Sequence, residues 1–397
     1  MNKKERLLLF TLVGIQFCHT VDFILIMPLG PTFMRSFSIT PQEFSWLISS
    51  YTFSAGIFGI IASFFVDNFD RKFVLSLSYL GFIFGTFFCA SVNSYDFLVL
   101  SRILLGAFVG VLSASILAIV GDVIPFERRG KATGAILSAF PLASVIGIPI
   151  GLFLSVKYSW RVPFYVISFL SICLLLFTQF TFPNIKTHLQ YNKNQSSLKK
   201  IIDILKEPNA LISFGLIVAI IFGGFSVIPF ISPYLVANVK ILESDLTYIY
   251  LVGGGVTFFS ANLIGYLSDQ FGKKLIFSIV AFLSIFPLLL ITNLPVLSLP
   301  LVITSTTLFF ILVSGRVIPA MALITSSIST EKRGGFMSIN SSIQQIASGF
   351  ASFISGLIIG RTQQGELINY WKVGILAICS TFVSIYLAQK IKLTQEE

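Results

Sequence analysis

Three charged residues stand deep inside long apolar runs of this chain: Asp22 in "QFCHTVDFILIMPLGP", Arg102 in "SRILLGAFVG" and Arg316 in "SGRVIPA". An ionised side chain at the centre of a membrane-spanning helix costs about 2.5 to 3.5 kcal/mol, so such residues face a cavity or one another. Of the 17 acidic residues only Asp22 lies well inside an apolar run, and of the 27 basic residues only Arg102 and Arg316 do. Asp22 is seven residues before the end of the first run near Leu29, and Arg102 five or six past the start of the fourth. Consecutive crossings alternate in direction, so these two ends share a side, and at ~1.5 Å per residue both groups lie roughly 8 to 10 Å deep. The two groups sit at similar depth; if their spans line one cavity, Asp22 and Arg102 form an ion pair that opens when Asp22 takes a proton, and a pair that only holds helices together is the alternative. His19, one turn before Asp22, either relays or stabilises that proton or is a packed imidazole. Arg316 is about nine residues from the other end of its run, deeper than Arg102, with no intramembrane acid in the second half of the chain to neutralise it. It is expected to meet an anionic or carbonyl-bearing part of a ligand, or to act structurally.

The elements that must hold these charges are helices in a bilayer. The 397 residues are 55% hydrophobic and 11% charged, against about 25% charged in a soluble domain. Apolar segments of roughly 20 residues, enough to cross ~30 Å of hydrocarbon, recur from end to end. Twelve spans are read, near 7-29, 44-66, 73-91, 97-120, 132-155, 162-182, 210-236, 246-267, 275-292, 297-325, 336-359 and 371-389. The first run follows a basic start, but no small-residue cleavage site follows Pro28 and the run is too long for a signal peptide, so it is kept as a span. Cys18, Cys89, Cys173 and Cys379 are far apart, and only His19 and His188 accompany them. Neither a metal site nor a disulfide framework is supported, and isolated buried thiols are expected.

Lysine and arginine set the orientation. Nineteen fall on the side of the N-terminus and six on the other, with Arg102 and Arg316 within spans. Both termini are therefore expected in the cytoplasm. The formal charge of +10 follows from this asymmetry beside anionic lipid and calls for no nucleic-acid partner. The longest break, "FPNIKTHLQYNKNQSSLKKIIDILKEPN", divides the chain into a six-helix bundle at 1-182, a linker at 183-209 and a second bundle at 210-397. Within it "LKKIIDILK" has the apolar spacing of a short surface helix. Landmarks repeat across the break: Asp67 with Asp269, "RRG" at Arg128 with "KRG" at Lys332, and "WR" at Trp160 with "WK" at Trp371, offset by 202, 204 and 211. Two parallel six-helix repeats around a central cavity form a transporter architecture.

"GYLSDQFGKK", Gly265 to Lys274, matches at every fixed position a loop signature, G-x-L-x-D-x-x-G-[RK]-[RK], and "SFFVDNFDRK", Ser63 to Lys72, is a degraded copy. On these motifs the whole chain resembles the major facilitator superfamily, and within it the twelve-span drug:proton antiporters and the bacterial sugar-efflux permeases. The resemblance implies an all-α membrane protein of twelve helices in two pseudo-symmetric repeats, with spans one, four, seven and ten lining the cavity. It also implies a latch between the halves at Asp67 and Arg71. Asp269, Lys273, Arg129 and Arg333 are carried with that latch. In the first copy Ser63 and Asp70 replace the glycines and Phe65 the leucine, which puts the tight turn there in doubt. "SRILLGAFVG" is similar to the superfamily's R-x-x-x-G signature in span four, associated with proton coupling. "GIPIG", Gly147 to Gly151, resembles the antiporter G-P-x-x-G-G motif incompletely; Pro149 bends span five, either structurally or as an antiporter hinge. "MPLGP" and "IPFISP" place matching bends at Pro28 and Pro229 in spans one and seven.

Uncharged cavity candidates are Gln16, Tyr51, Asn262, Asn340, Gln344 and Gln345, for each of which helix-helix hydrogen bonding is equally open. The leading reading is proton-driven efflux of a small amphipathic compound by a monomer in the cell (inner) membrane, without cofactor, metal or enzymatic chemistry. Sugar or metabolite efflux, including uniport, is the alternative. No G-x-x-x-x-G-K-[ST] loop is present to drive a pump with ATP. A membrane-embedded transferase using His19 and Asp22 would need a further catalytic constellation, and a non-transporting sensor would have no use for the intact second loop signature.

Overall fold

The computed structural model describes residues 3–182, 203–329 and 332–392. The linker at 183–202, with most of the expected surface helix, lies outside the described residues. Spans one to six are built on Lys3–Leu25, Pro41–Phe65, Arg71–Ser91, Tyr95–Val123, Phe126–Leu137 continued by Ile148–Lys157, and Arg161–Thr181. Spans seven to twelve are Pro208–Phe225 with Ile231–Ala237, Leu246–Phe271, Lys273–Leu283 with Ile285–Thr292, Leu299–Phe309 with Val317–Thr325, Arg333–Ile358 and Tyr370–Lys390. Eleven are long and apolar enough to cross a membrane. Span eleven is long enough but diluted by Ser338, Asn340, Ser341, Ser342, Gln344 and Gln345; it is sheltered against span two.

Local chemistry explains the helix ends. Span two begins on a capping box: Thr40 Oγ1 accepts from Glu43 N at 3.2 Å, and Glu43 Oε2 accepts from Thr40 N at 2.8 Å. The two loop signatures turn differently. In the intact copy Gly272 takes φ +98°, open to glycine and strained for other residues. In the degraded copy a 3-10 turn, Val66–Asn68, ends span two, and Asp70, with φ −58°, caps span three by accepting from Lys72 N at 2.8 Å. The aspartate that breaks the motif thus supplies a cap where the glycine would supply a turn.

Spans one and seven both break. The helix Lys3–Leu25 stops at a turn containing Pro28 and resumes as Gly30–Ser36; Pro208–Phe225 stops before Pro229 and resumes as Ile231–Ala237. Pro149 follows a π-helical stretch, Ala143–Gly147, and a second such stretch, Phe310–Ser314, precedes Arg316, which the sequence did not signal.

Three seams join the two groups of six: spans two and eleven, spans five and eight, and the outer ends of one and seven; "inner" here means the N-terminal side. Ser342 and Ile346 fill the space beside Gly56, and Phe53 that beside Gly349, so small residues let the backbones approach. At the outer end Arg35 forks onto Glu243, with Nη2 at 3.1 Å from Oε2, and Thr32 Oγ1 donates to the same carboxylate at 2.9 Å. The hydrogen bond to Glu243 pushes the Arg35 guanidinium above its ordinary value. Beneath, Phe44 stacks edge-on to Phe230 at 5.8 Å. The outer side is sealed.

At the inner end the described charged contacts stay within one group, and they repeat. Arg128 pairs with Glu5 at 3.0 Å, and Lys332 with Glu207. Arg71 donates to Asp122 at 2.8 Å, and Lys273 to Ser326 at 2.9 Å. Lys72 and Lys274 each cap the closing helix of their group, at Gln179 O and Gln389 O. The outer seam is thus closed in this arrangement. Because Arg35 is 67% exposed on its side chain, the outer pair contributes only ~0 to 1 kcal/mol. Glu243→Gln is therefore expected to raise the outward-open population about two- to five-fold, read as the distance between spin labels at the exposed outer positions 97 and 248.

Candidate functional site

The charged residues of spans one and four meet. Arg102 Nη1 lies 2.9 Å from Asp22 Oδ2 with both side chains fully buried, and Thr86 of span three donates to Asp22 Oδ1 at 3.3 Å. The pair is single-stranded: Arg102 Nε and Nη2 find no protein acceptor, where a strut would normally be bidentate. The Tyr51 ring of span two covers the guanidinium, its centroid 4.4 Å from Cζ. Gly106 makes this cover possible, since any Cβ there would collide with the Tyr51 carbonyl oxygen. The R-x-x-x-G spacing thus has a packing meaning: the arginine carries charge, and the glycine one turn on admits the helix that shields it.

Around the pair lie Cys89 of span three and Cys18 of span one, near enough to feel the Asp22 charge. His19 is buried at 7% exposure, and its Nε2 has no protein partner. Three residues before Asp22, it stands one turn nearer the inner end of span one. Cys18 and Cys89 are buried as expected, but Cys173 and Cys379 are exposed on the outside of the bundle, because a lipid-facing surface tolerates an apolar thiol.

Arg316 is placed differently from its expected encounter with a ligand. It is fully buried behind span seven, with Nη1 donating to Thr381 Oγ1 at 2.8 Å and Ser284 Oγ at 3.3 Å, and Nη2 to Ile220 O at 3.3 Å. The missing side chain of Gly223 makes room for it. Spans seven, nine, ten and twelve enclose it with neutral oxygens, which favours the structural alternative in this state.

The uncharged candidates scatter. Asn262 is exposed, and its amide donates to Phe258 O of its own helix at 3.1 Å. Asn340 is fully buried with neither amide atom partnered. Gln344 Nε2 lies 3.9 Å from Met321 Sδ of span ten, Gln16 is half-buried, and Gln345 lines a crevice with Ser113, Ser338, Ser341 and Ser342 between spans two, four and eleven. Arg129 Nε donates to Ile124 O at 2.9 Å, Asp269 is exposed, Arg333 starts span eleven, and the side chain of Asp67 lies outside the described residues. Sequence reasoning missed Glu5 and Glu207; their 202-residue offset, the same as that of Asp67 and Asp269, was the available signal.

Twelve helices in two groups of six, tied together at their outer ends, are the architecture of a membrane carrier. The sequence profile of the Major Facilitator Superfamily matches residues 12–352, and the chain belongs to that superfamily. The MFS-type transporter YceJ of Bacillus subtilis (strain 168) is 24% identical over 355 residues, covering 88% of each chain. The "Probable sugar efflux transporter" of Pasteurella multocida (strain Pm70) is 25% identical over 256 residues, 64% of this chain and 61% of its own. Among solved structures, a D-xylose-proton symporter superposes with a TM-score of 0.74 at 17% identity, covering 95% of this chain and 96% of its own. A bacterial homologue of the human lysosomal transporter Spinster, inward-facing and unoccupied, gives 0.73 at 15% identity, covering 98% and 95%. The protein is a multi-pass membrane transporter for small molecules.

Proposed function

We propose that the chain is a proton-coupled antiporter that exports a small amphipathic compound by alternating access, with Asp22 as the proton site. The observation that carries this reading is the buried, single-stranded Asp22-Arg102 pair, with a partnerless His19 nitrogen on its inner side. Protonation of Asp22 removes one charge of the pair and frees Arg102 to move. One proton moving down ~100 mV supplies ~2.3 kcal/mol, enough at ~1.4 kcal/mol per decade for a gradient of roughly fifty-fold.

In this reading the 1-182 and 210-397 bundles rock about the breaks at Pro28, Pro229 and Pro149, tethered by 183-209. Asp67, Arg71, Asp269, Lys273, Arg129 and Arg333 form the inner latch when the cleft closes on that side. The protein works as a monomer in the inner membrane with both termini cytoplasmic. Accumulation of labelled compounds in everted vesicles tests the reading: export of a lipophilic cation should follow the proton gradient and collapse with it, and accumulation indifferent to that collapse would sink it.

Sugar or metabolite efflux is the second reading, favoured by the printed name of the Pasteurella relative. Arg316 separates ligand classes. If it meets anionic substrate in another state, Arg316→Ala lowers transport of organic acids about ten-fold or more while sparing cations. Equal loss for both would leave Arg316 its neutral cage alone.

A further inference from the structure

The Asp22-Arg102 pair is connected to the opposite bundle by rings. Tyr51, which covers Arg102, stacks on Phe23 at 5.0 Å with 15° between planes, and Phe23 stacks on Phe225 of span seven at 6.1 Å and 18°. Phe23 is two residues before the end of the helix Lys3–Leu25, and Phe225 is the last residue of Pro208–Phe225. The contact therefore joins the two groups of six at the points where spans one and seven break. Tyr51 is buried, whereas Phe23 and Phe225 are partly exposed, so the chain of rings runs from the enclosed charges out to the seam that must open.

We propose that the Tyr51-Phe23-Phe225 stack is the coupling element of this transporter, transmitting the charge state of Asp22-Arg102 to the closure of the outer side. This rests on the proton-coupled reading. When Asp22 is ionised, Arg102 is held beneath the Tyr51 ring, Tyr51 supports Phe23 in its stacked position, and Phe23 meets Phe225 with the outer seam shut. When Asp22 is protonated, Arg102 loses its counter-charge, the Tyr51 ring loses its fixed cation, and the position of Phe23 is no longer enforced. Opening the outer side must also break the Phe23-Phe225 contact, since these residues belong to different bundles. Tyr51, Phe23 and Phe225 are positioning residues: they act through Asp22 and Arg102, whereas the outer ion pair of Arg35 and Glu243 ties the same seam without reference to that charge.

The groups facing Asp22 are Arg102 of span four, Thr86 and Cys89 of span three, Tyr51 of span two, and His19 and Cys18 of its own helix. The ion pair of Arg35 and Glu243 also lies at the outer seam, so the test isolates the part of any pH response that depends on Asp22. In full-length protein with Cys173 and Cys379 replaced by serine, reconstituted in lipid nanodiscs, spin labels at positions 97 and 248 report the outer distance at pH 5.5 and pH 8.5. The wild type is expected to populate a wider outer distance at the lower pH, and Asp22→Asn to lose the Asp22-dependent part of that response. Phe225→Leu keeps apolar volume without a ring and should reduce the Asp22-dependent response about five-fold; Phe225→Trp and Tyr51→Phe keep the rings and should retain it. Retention by the ring-bearing variants also excludes misfolding as the cause of the loss in leucine. If Phe225→Leu responds to pH as the wild type does, the stack proposal is overturned while the proton reading stands. If the wild type and Asp22→Asn respond alike, the proton reading falls and the coupling role falls with it.

Discussion

Asp22→Asn is expected to leave the transporter folded and able to exchange substrate across the membrane, while uphill accumulation falls from about fifty-fold to none. The amide oxygen of asparagine can still accept from Arg102 Nη1, and its NH2 group, in the place of Oδ1, can donate to Thr86 Oγ1. What is lost is the group that gains and loses a proton. An unpaired buried arginine need not unfold this protein, as Arg316 shows: it is held among Thr381, Ser284 and the Ile220 carbonyl, with no carboxylate among its described contacts. Expression, substrate exchange at equal concentrations and accumulation under a proton gradient should be measured together. A variant that still concentrates substrate would remove Asp22 from the proton path.

Truncating the partner should be worse for the fold. Arg102→Ala leaves Asp22 as a buried acid with only the Thr86 hydroxyl donating to it among its described contacts, and breaking a buried pair by removing one member typically costs about 3 to 5 kcal/mol. The variant is expected to unfold several degrees below wild type in detergent. Adding Asp22→Asn to Arg102→Ala should recover part of the lost stability. Strictly additive losses would mean that the two side chains do not support one another.

Much of this arrangement was legible in the sequence, because in a bilayer depth is a matter of counting. The twelve apolar runs, the shared depth of Asp22 and Arg102 and the bends before Pro28 and Pro229 all follow from helical rise and backbone chemistry. Rotation about the helix axis was not legible. Arg316 is fully buried, but it points behind span seven into its own bundle, a direction set by the absent side chain of Gly223. Asn262 is likewise turned to the exposed face, and Cys173 and Cys379 face outward although they sit in apolar runs. The Tyr51 cover over Arg102 depends on how closely spans two and four approach at Gly106, a tertiary fact that the R-x-x-x-G spacing signals only once the packing is seen. The inner charged pairs repeat at matching offsets, yet their partners Glu5, Asp122 and Glu207 carried no motif of their own.

The central claim is that Asp22 exchanges a proton for substrate. The direct measurement uses everted membrane vesicles energised to an acid interior and loaded with a pH-sensitive dye, comparing wild type with Asp22→Asn. Lipophilic cations, antibiotics, sugars and organic acids are added in turn. A compound that releases protons from wild-type vesicles and leaves the dye unchanged in Asp22→Asn is the predicted result, and it would name the substrate class at the same time. Labelled compound moving through wild-type protein with no proton release, or equal release from both proteins, would contradict the account.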